Sequence, residues 1–311
     1  MKLIFVLFLV LFFNTVLSQE LISLPFNLEP NSSREVVAVN KSIIYMNGEV
    51  VSEATQTNSY KLIILDTTFR STISYKKQLP DNLKNISSDD IPSDELIESF
   101  IFLAEEHLKS LEYHILVDNS SKEPIEFLND SVYDKNIPII TNDLLSKFPD
   151  LKSDDEEERK LFVEKTKEYL KKSRKNILES IRVEFANILS PYTYQFPNEG
   201  KIENEVHIDD IPMFAEVPDN AIDAVITISS ELDGDNISVL SELNYDKEKF
   251  LKVAKAANPA FNEVKKEELE VIERNSFEAN LPSSWLEKYE SERIISIPGI
   301  KVINVSNMKF Y

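Results

Sequence analysis

SDDEEERKLFVEKTKEYLKKSRKNILESIRVEFANIL, residues 153–189, decides the fold class. Ser153 and Glu156 have the spacing of a capping box, and the acidic run from Asp154 to Glu158 suits a helix N-terminus. Phe162, Leu170, Ile177, Ile181, Phe185 and Ile188 recur at mostly helical intervals, and Ser190-Pro191 ends the run. A helix of this length spans about 55 Å at roughly 1.5 Å per residue, so it must cross the molecule or join two parts of it.

The segments around it read as strands and shorter helices. Ile43 to Val51 holds Asn47-Gly48 between β-rich runs, which predicts a two-residue hairpin with a type I′ turn. Tyr60–Leu65, Thr68–Tyr75, Tyr113–Val117, Ile137–Ile140, Glu205–Ile208 and Ala224–Ser229 read as further strands. Pro138 points to an edge position for the fourth of these, and AVITIS is expected to be buried. Ser93 starts a helix whose inner face is Ile97, Phe100, Ile101, Ala104, Leu108 and Leu111. Further helices are expected at Asn142–Phe148, Asn244–Ala257, Asn262 to about Arg274, and Pro282–Tyr289 with the single tryptophan, Trp285. Asp233-Gly234-Asp235 is a turn. Pro298-Gly299 joins a terminal hairpin through a type II turn.

Strands and helices do not alternate as βαβ units. The expectation is therefore α+β: mostly antiparallel sheet, with the long helix packed across or between sheets. The natural break lies near residue 150. It gives an N-terminal α+β region, 19–150, and a C-terminal α+β region, 151–311, led by the helix; one undivided domain fits almost as well.

Residues 1–18 predict the compartment. Lys2 precedes an apolar core, Leu3–Phe13, and Val16-Leu17-Ser18 offers a cleavage site before Gln19, the pattern of a secretory signal peptide. No later stretch is long and apolar enough for a transmembrane helix. Lys309-Phe310-Tyr311 is not an ER-retention signal. Seven N-x-S sequons, at Asn31, Asn40, Asn85, Asn119, Asn129, Asn236 and Asn304, fit the same route. The composition alone gives about three or four by chance, so some are expected to carry glycans.

Composition removes several chemistries. The chain has no cysteine, so thiol catalysis and thiolate metal sites are excluded. Only four glycines occur, and they form no dinucleotide fingerprint, phosphate loop or nucleophile elbow, so no cofactor is expected. A net charge of −20 argues against nucleic acid and anionic membranes, and it permits a cationic partner.

The remaining constellations are weak. Asp66-Thr67-Thr68 follows an apolar strand, but Thr68 replaces the glycine that an aspartic-protease loop requires, and Asp66 reads as a strand-end turn residue. His207 and Asp209 share a face of an extended segment, yet a metal needs three or four ligands and His107 and His114 lie elsewhere. Glu231, Asp233, Asp235 and Glu242 around Gly234 fail the EF-hand spacing. The adjacent acids Asp89-Asp90, Glu105-Glu106, Asp154-Asp155 and Asp209-Asp210 are uninformative in a chain with 54 carboxylates. Lys160, Lys165, Lys167, Lys171, Lys172, Arg174, Lys175 and Arg182 form the one dense basic run, which reads first as a solvated helix face and second as a docking surface. Tyr192, Tyr194 and Phe196 read first as one half-buried strand or a packed loop, and second as a platform that stacks on a sugar or lines an apolar pocket. No catalytic, cofactor or metal residue is assigned. The leading expectation is a secreted, N-glycosylated, non-enzymatic binder of a protein or glycan. An extracellular hydrolase using a carboxylate pair and a carrier of an apolar ligand are the alternatives.

Overall fold

The computed structural model describes residues 21–26, 28–68, 70–84, 86, 91–92, 95–148, 151, 156–208, 217 and 220–311. The apolar amino-terminal segment, Ser153, Asn85 and the pairs Asp89-Asp90, Asp154-Asp155 and Asp209-Asp210 lie outside the described residues. The fold is α+β with extensive antiparallel sheet. Its strands are β1 Leu21–Ser23, β2 Ser33–Met46, β3 Glu49–Thr67, β4 Arg70–Gln78, β5 Glu112–Asp118, β6 Pro124–Phe127, β7 Gln195–Pro197, β8 Gly200–Ile208, β9 Ile222–Asp233, β10 Asn236–Tyr245, β11 Glu270–Asn280, β12 Trp285–Ile297 and β13 Ile300–Phe310. Its main helices are α1 Leu96–Lys109, α2 Ser131–Lys147, α3 Glu156–Leu189 and α4 Lys247–Ala257.

The chain divides into two compact units, neither of them contiguous. One, the helix-rich unit, holds Phe26–Val39, Gln56–Tyr192 and Met308–Tyr311; the other, the sheet unit, holds residues 21–25, Asn40–Thr55 and Thr193–Asn307. Strands β2, β3 and β13 each contribute to both. This division does not run at residue 150, and α3 lies in the same unit as α1 and α2.

In the helix-rich unit the strands follow the order β6-β5-β4-β3-β2. Tyr311 exchanges both backbone hydrogen bonds with Glu35 of β2, at 2.8 and 3.1 Å. Helix α3 is 34 residues long, within the stretch whose helical intervals predicted it, and buries Leu170, Ile177, Leu178, Ile181, Phe185, Ile188 and Leu189. Phe185 meets the ring of Tyr75 edge-on at 5.6 Å. Tyr133 of α2 donates to the Leu170 carbonyl at 2.7 Å, which ties α2 to α3. Fully burying one such large side chain contributes on the order of 2 kcal/mol, so this apolar stripe carries most of the helix's stability.

Two expectations in this unit need correction. Ile137–Ile140 is not a strand but the middle of α2, with Pro138 inside the helix. Proline there removes one backbone donor at a cost of about 3 kcal/mol. Tyr133, Ile137, Ile140, Thr141, Leu144 and Leu145 are nevertheless all buried on one face, and that burial outweighs the lost bond. In α1 the inner face is Leu96, Phe100, Leu103, Ala104 and Leu108. Ile97, expected inside, is 54% exposed. Phe100, Ala104 and Leu108 belong to both candidate stripes, and the neighbouring helices select between the flanking residues.

In the sheet unit the order is β8-β9-β10-β11-β12-β13, with the two-residue hairpin of β2 and β3 at Asn47-Gly48. Both hairpin residues have positive φ, 52° and 87°, as a type I′ turn requires. Gly299 has φ 77°, fitting the third position of a type II turn after Pro298. The tips of the two hairpins meet: Asn47 N–H donates to the Gly299 carbonyl at 2.8 Å. Helix α4 starts at Asp246, whose carboxylate accepts from the Glu248 and Lys249 amides. Its Phe250, Leu251, Val253 and Ala254 close a core with Ile222, Val271, Ile295 and Ile297.

Three expectations fail here. Residues 262–274 form short 3-10 turns followed by β11, and Trp285 begins β12 rather than a helix. Lysine and glutamate favour a helix locally, but Val271 and Phe277 are buried opposite Ile295 and Tyr289, and ladder pairing with burial overrides that weak propensity. Strand β9 alternates buried and accessible residues rather than being buried throughout, and Val225 is 39% exposed.

The helix-rich unit also encloses a charge. Lys77 of β4 is 4% exposed and contacts Glu184 of α3 at 3.0 Å and Glu106 of α1 at 3.7 Å. Tyr75 donates to Glu184 at 3.1 Å. Burial first, and then the Glu184 charge, push the Tyr75 phenol well above its ordinary value. Glu184→Ala should leave the enclosed ammonium with Glu106 alone and destabilise the protein by about 2–3 kcal/mol, whereas replacing both partners together, Lys77→Met with Glu184→Leu, should cost under about 1 kcal/mol. Urea denaturation of the two variants measures the difference.

Candidate functional site

A cleft of about 700 Å³ in the sheet unit gathers the most chemically capable side chains. Its wall begins with the register of β8 and β9, which places His207 directly opposite Asp223. Side chains opposed across an antiparallel pair lie close enough to bond. Here His207 Nδ1 and Asp223 Oδ1 are 2.5 Å apart. An ionised carboxylate only accepts, so the imidazole N–H donates and its tautomer is set. The other Asp223 oxygen accepts from the Lys249 ammonium, brought over by the first turn of α4. Tyr245, Lys247 and Lys266 complete the rim. Lys247 donates to the Leu269 carbonyl at 2.7 Å, and Lys266 pairs with Glu248 at 2.7 Å.

The bond from Lys249 and then that from His207 hold the Asp223 carboxyl below its ordinary value. Its bond with Asp223 likewise raises Lys249. The arrangement orients an imidazole and sets beside it a carboxylate whose charged form its partners favour. All three groups are widely open to water: His207 is 60% exposed and Asp223 46%. The pair is a positioned polar contact, without the enclosure that gives general acid–base catalysis its strength.

The histidine was singled out from the sequence with Asp209 as its neighbour, and Asp209 lies outside the described residues. The bonded partner, Asp223, is sixteen residues away and is visible only once the strand register is known. Among the described residues no group of three or more histidines and acids is arranged to hold a metal ion.

The other candidates separate. Asp66 accepts from the next amide, Thr67 N–H, at 2.7 Å, the contact of a strand-end residue. Glu242, expected near the Gly234 turn, instead bonds Arg274 at 2.9 Å. Glu105 and Glu106 diverge: Glu105 accepts from Tyr169, and Glu106 bonds Lys109. Two carboxylates that do converge, Glu106 and Glu184, do so on Lys77, which satisfies them. The basic run on α3 is interleaved with acids. Lys160, Lys167, Lys172, Arg174 and Arg182 all have ion-pair partners within 3.0 Å. Tyr192 stacks edge-on against Phe26, while Tyr194 and Phe196 pack on Phe277, so the aromatic trio is core rather than a sugar platform.

The sequons differ in their surroundings. Asn31, Asn40, Asn236 and Asn304 are exposed. Asn119 and Asn129 are partly buried. Asn129 accepts from His114 N–H at 2.7 Å and donates to the Glu112 carbonyl at 3.1 Å. Asn119 accepts from Ser71 at 2.7 Å and donates to the Thr68 carbonyl.

No family model and no curated protein sequence matches this chain.

Lys249→Met should let the Asp223 pKa climb back toward the ordinary aspartate value. A depressed carboxyl stabilises the fold above its unfolded-state pKa, and that contribution disappears as pH falls through its folded value. The variant should therefore lose some of the wild type's acid dependence of stability below about pH 4. Carbon-detected NMR titration of Asp223, alongside melting curves at several pH values, reads both effects.

Proposed function

We propose that this chain is a secreted, N-glycosylated protein whose work is to bind another macromolecule. The observation that carries the reading is the exposure of Asn31, Asn40, Asn236 and Asn304, four sequon asparagines spread over both units. A glycan needs a side chain open to water, and these positions provide it without displacing packed neighbours. The apolar segment Leu3–Phe13 supports the same route. The absence of cysteine is compatible with that route, because a chain of this size folds on apolar burial without disulfides.

Binding rather than chemistry is supported by the surface. Charged and aromatic groups chosen as candidates are mostly committed to one another or to the core. Met46, Val50 and Val51 are each about half exposed, at 48%, 51% and 54%, on one hairpin. Exposed apolar residues grouped in this way mark interaction sites. A hydrolase would need two uncommitted acids facing each other in a substrate cleft; in the 700 Å³ cleft Asp223 is bonded to His207 and Lys249 and Asp246 caps α4, while the convergent acids Glu106 and Glu184 face Lys77. A carrier would need an enclosed apolar cavity, whereas this cleft sets Val206, Ala224 and Val225 among His207, Tyr245, lysines and acids.

Expression through a eukaryotic secretory pathway tests the proposal. The protein should appear in the medium with Gln19 at its amino terminus, and peptide N-glycosidase should reduce its apparent mass. Removing Asn31, Asn40, Asn236 or Asn304 should each abolish one glycan increment. Asn129→Ala should instead cost about 1–2 kcal/mol through its two lost backbone bonds. Retention in the cytosol with residues 1–18 still attached and no glycan would refute the reading.

A further inference from the structure

The hairpin tip carries more than apolar exposure. Every residue of β3 from Glu49 to Thr55 is exposed. One side of this stretch is paired with β2. The strand's other neighbour, β4, pairs with it only over Ser59–Thr67. Among the described residues, then, Glu49–Thr55 has an open backbone edge. Neighbouring residues of a strand turn their N–H and C=O to opposite sides, so alternate residues of the stretch present theirs away from β2. Folded proteins usually blunt such edges with proline, lysine, a bulge or a covering segment. The stretch EVVSEAT contains no proline and no lysine. Its only charges are Glu49 and Glu53.

We propose that this edge takes an extended, basic segment of a partner protein as an added antiparallel strand. The inference rests on reading the chain as an interaction protein. Backbone bonds from the outward groups supply affinity, and side chains along the edge supply selectivity. Glu49 and Glu53 flank Val50 and Val51 on this edge. The complementary face of the incoming strand therefore carries two Lys or Arg residues four apart with an apolar residue between them. Lys41 already sits 2.7 Å from Glu53, and both are about half exposed, so the glutamate remains accessible to a second cation. Charge also argues against a second copy as occupant, since two such edges bring Glu49 and Glu53 together on chains of net charge −20.

A fluorescein-labelled, end-capped nine-residue peptide tests the proposal, with lysines four apart and valine and threonine elsewhere. Its fluorescence anisotropy should rise with the secreted, glycosylated full-length protein. The affinity should fall at least tenfold when both lysines become glutamate, or when alternate backbone amides are N-methylated. Val51→Pro and Ser52→Pro are compared: neighbouring N–H groups face opposite sides, so the variant that keeps the wild-type melting temperature and circular dichroism has lost an outward N–H, and it should abolish binding. Glu49→Lys with Glu53→Lys should also abolish it. Unchanged affinity in that proline variant, or for the N-methylated peptide, would overturn the proposal. So would sedimentation showing a dimer that the same variant dissociates. Failure to bind by protein that is secreted and glycosylated would sink the edge proposal alone. Binding by protein found unglycosylated in the cytosol would support the edge and sink the secretory reading.

Discussion

Antiparallel backbone pairing is the constraint on which the rest depends. A strand as long as β3, β12 or β13 leaves many polar groups to satisfy, and a hairpin satisfies them only if its turn reverses the chain without splaying the strands. Asn47-Gly48 and Pro298-Gly299 do this with positive φ at the residues that need it, and their tips bond to each other. From those turns the register propagates. It sets Asn47 beside Gly299, Glu35 beside Tyr311 and, on the far strands, His207 opposite Asp223. One residue of slip would turn every buried side chain outward and break each of these contacts.

Apolar burial then decides which local preferences survive. Pro138 sits inside a helix because the face around it is buried, and Glu270–Asn280 is a strand because Val271 and Phe277 are. The buried lysine is the opposite case. Lys77 packs no apolar surface of its own kind, and its place depends on two carboxylates delivered by separate helices. Such a cluster fixes how α1 and α3 meet β4, although an apolar replacement of similar size would stabilise the fold about as well.

The functional reading follows from where side chains are committed. Much of the basic run of α3 is paired, with acids of the same helix and, at Arg174, with Asp130 and Asp134; the aromatic trio packs on Phe26 and Phe277, and the acids Glu106 and Glu184 share Lys77. Among the described residues, the exposed sequon asparagines and the backbone edge beside Val50 and Val51 stay open. Both suit a protein that works at its surface in an environment rich in partners.

Much of this was legible in residue order. The long helix, the Asn-Gly and Pro-Gly hairpins, the mixed α+β class and the sequons are local patterns, and turn chemistry or helical periodicity declares them within a few residues. Other features were not legible. The inner face of α1, the helical state of 137–140 and the strand state of 270–280 depend on what packs against them. The His207–Asp223–Lys249 contact and the enclosure of Lys77 join residues sixteen to more than a hundred positions apart. Such contacts exist only after register and packing are set, because proximity in space is created by folding and leaves no periodic trace in the chain.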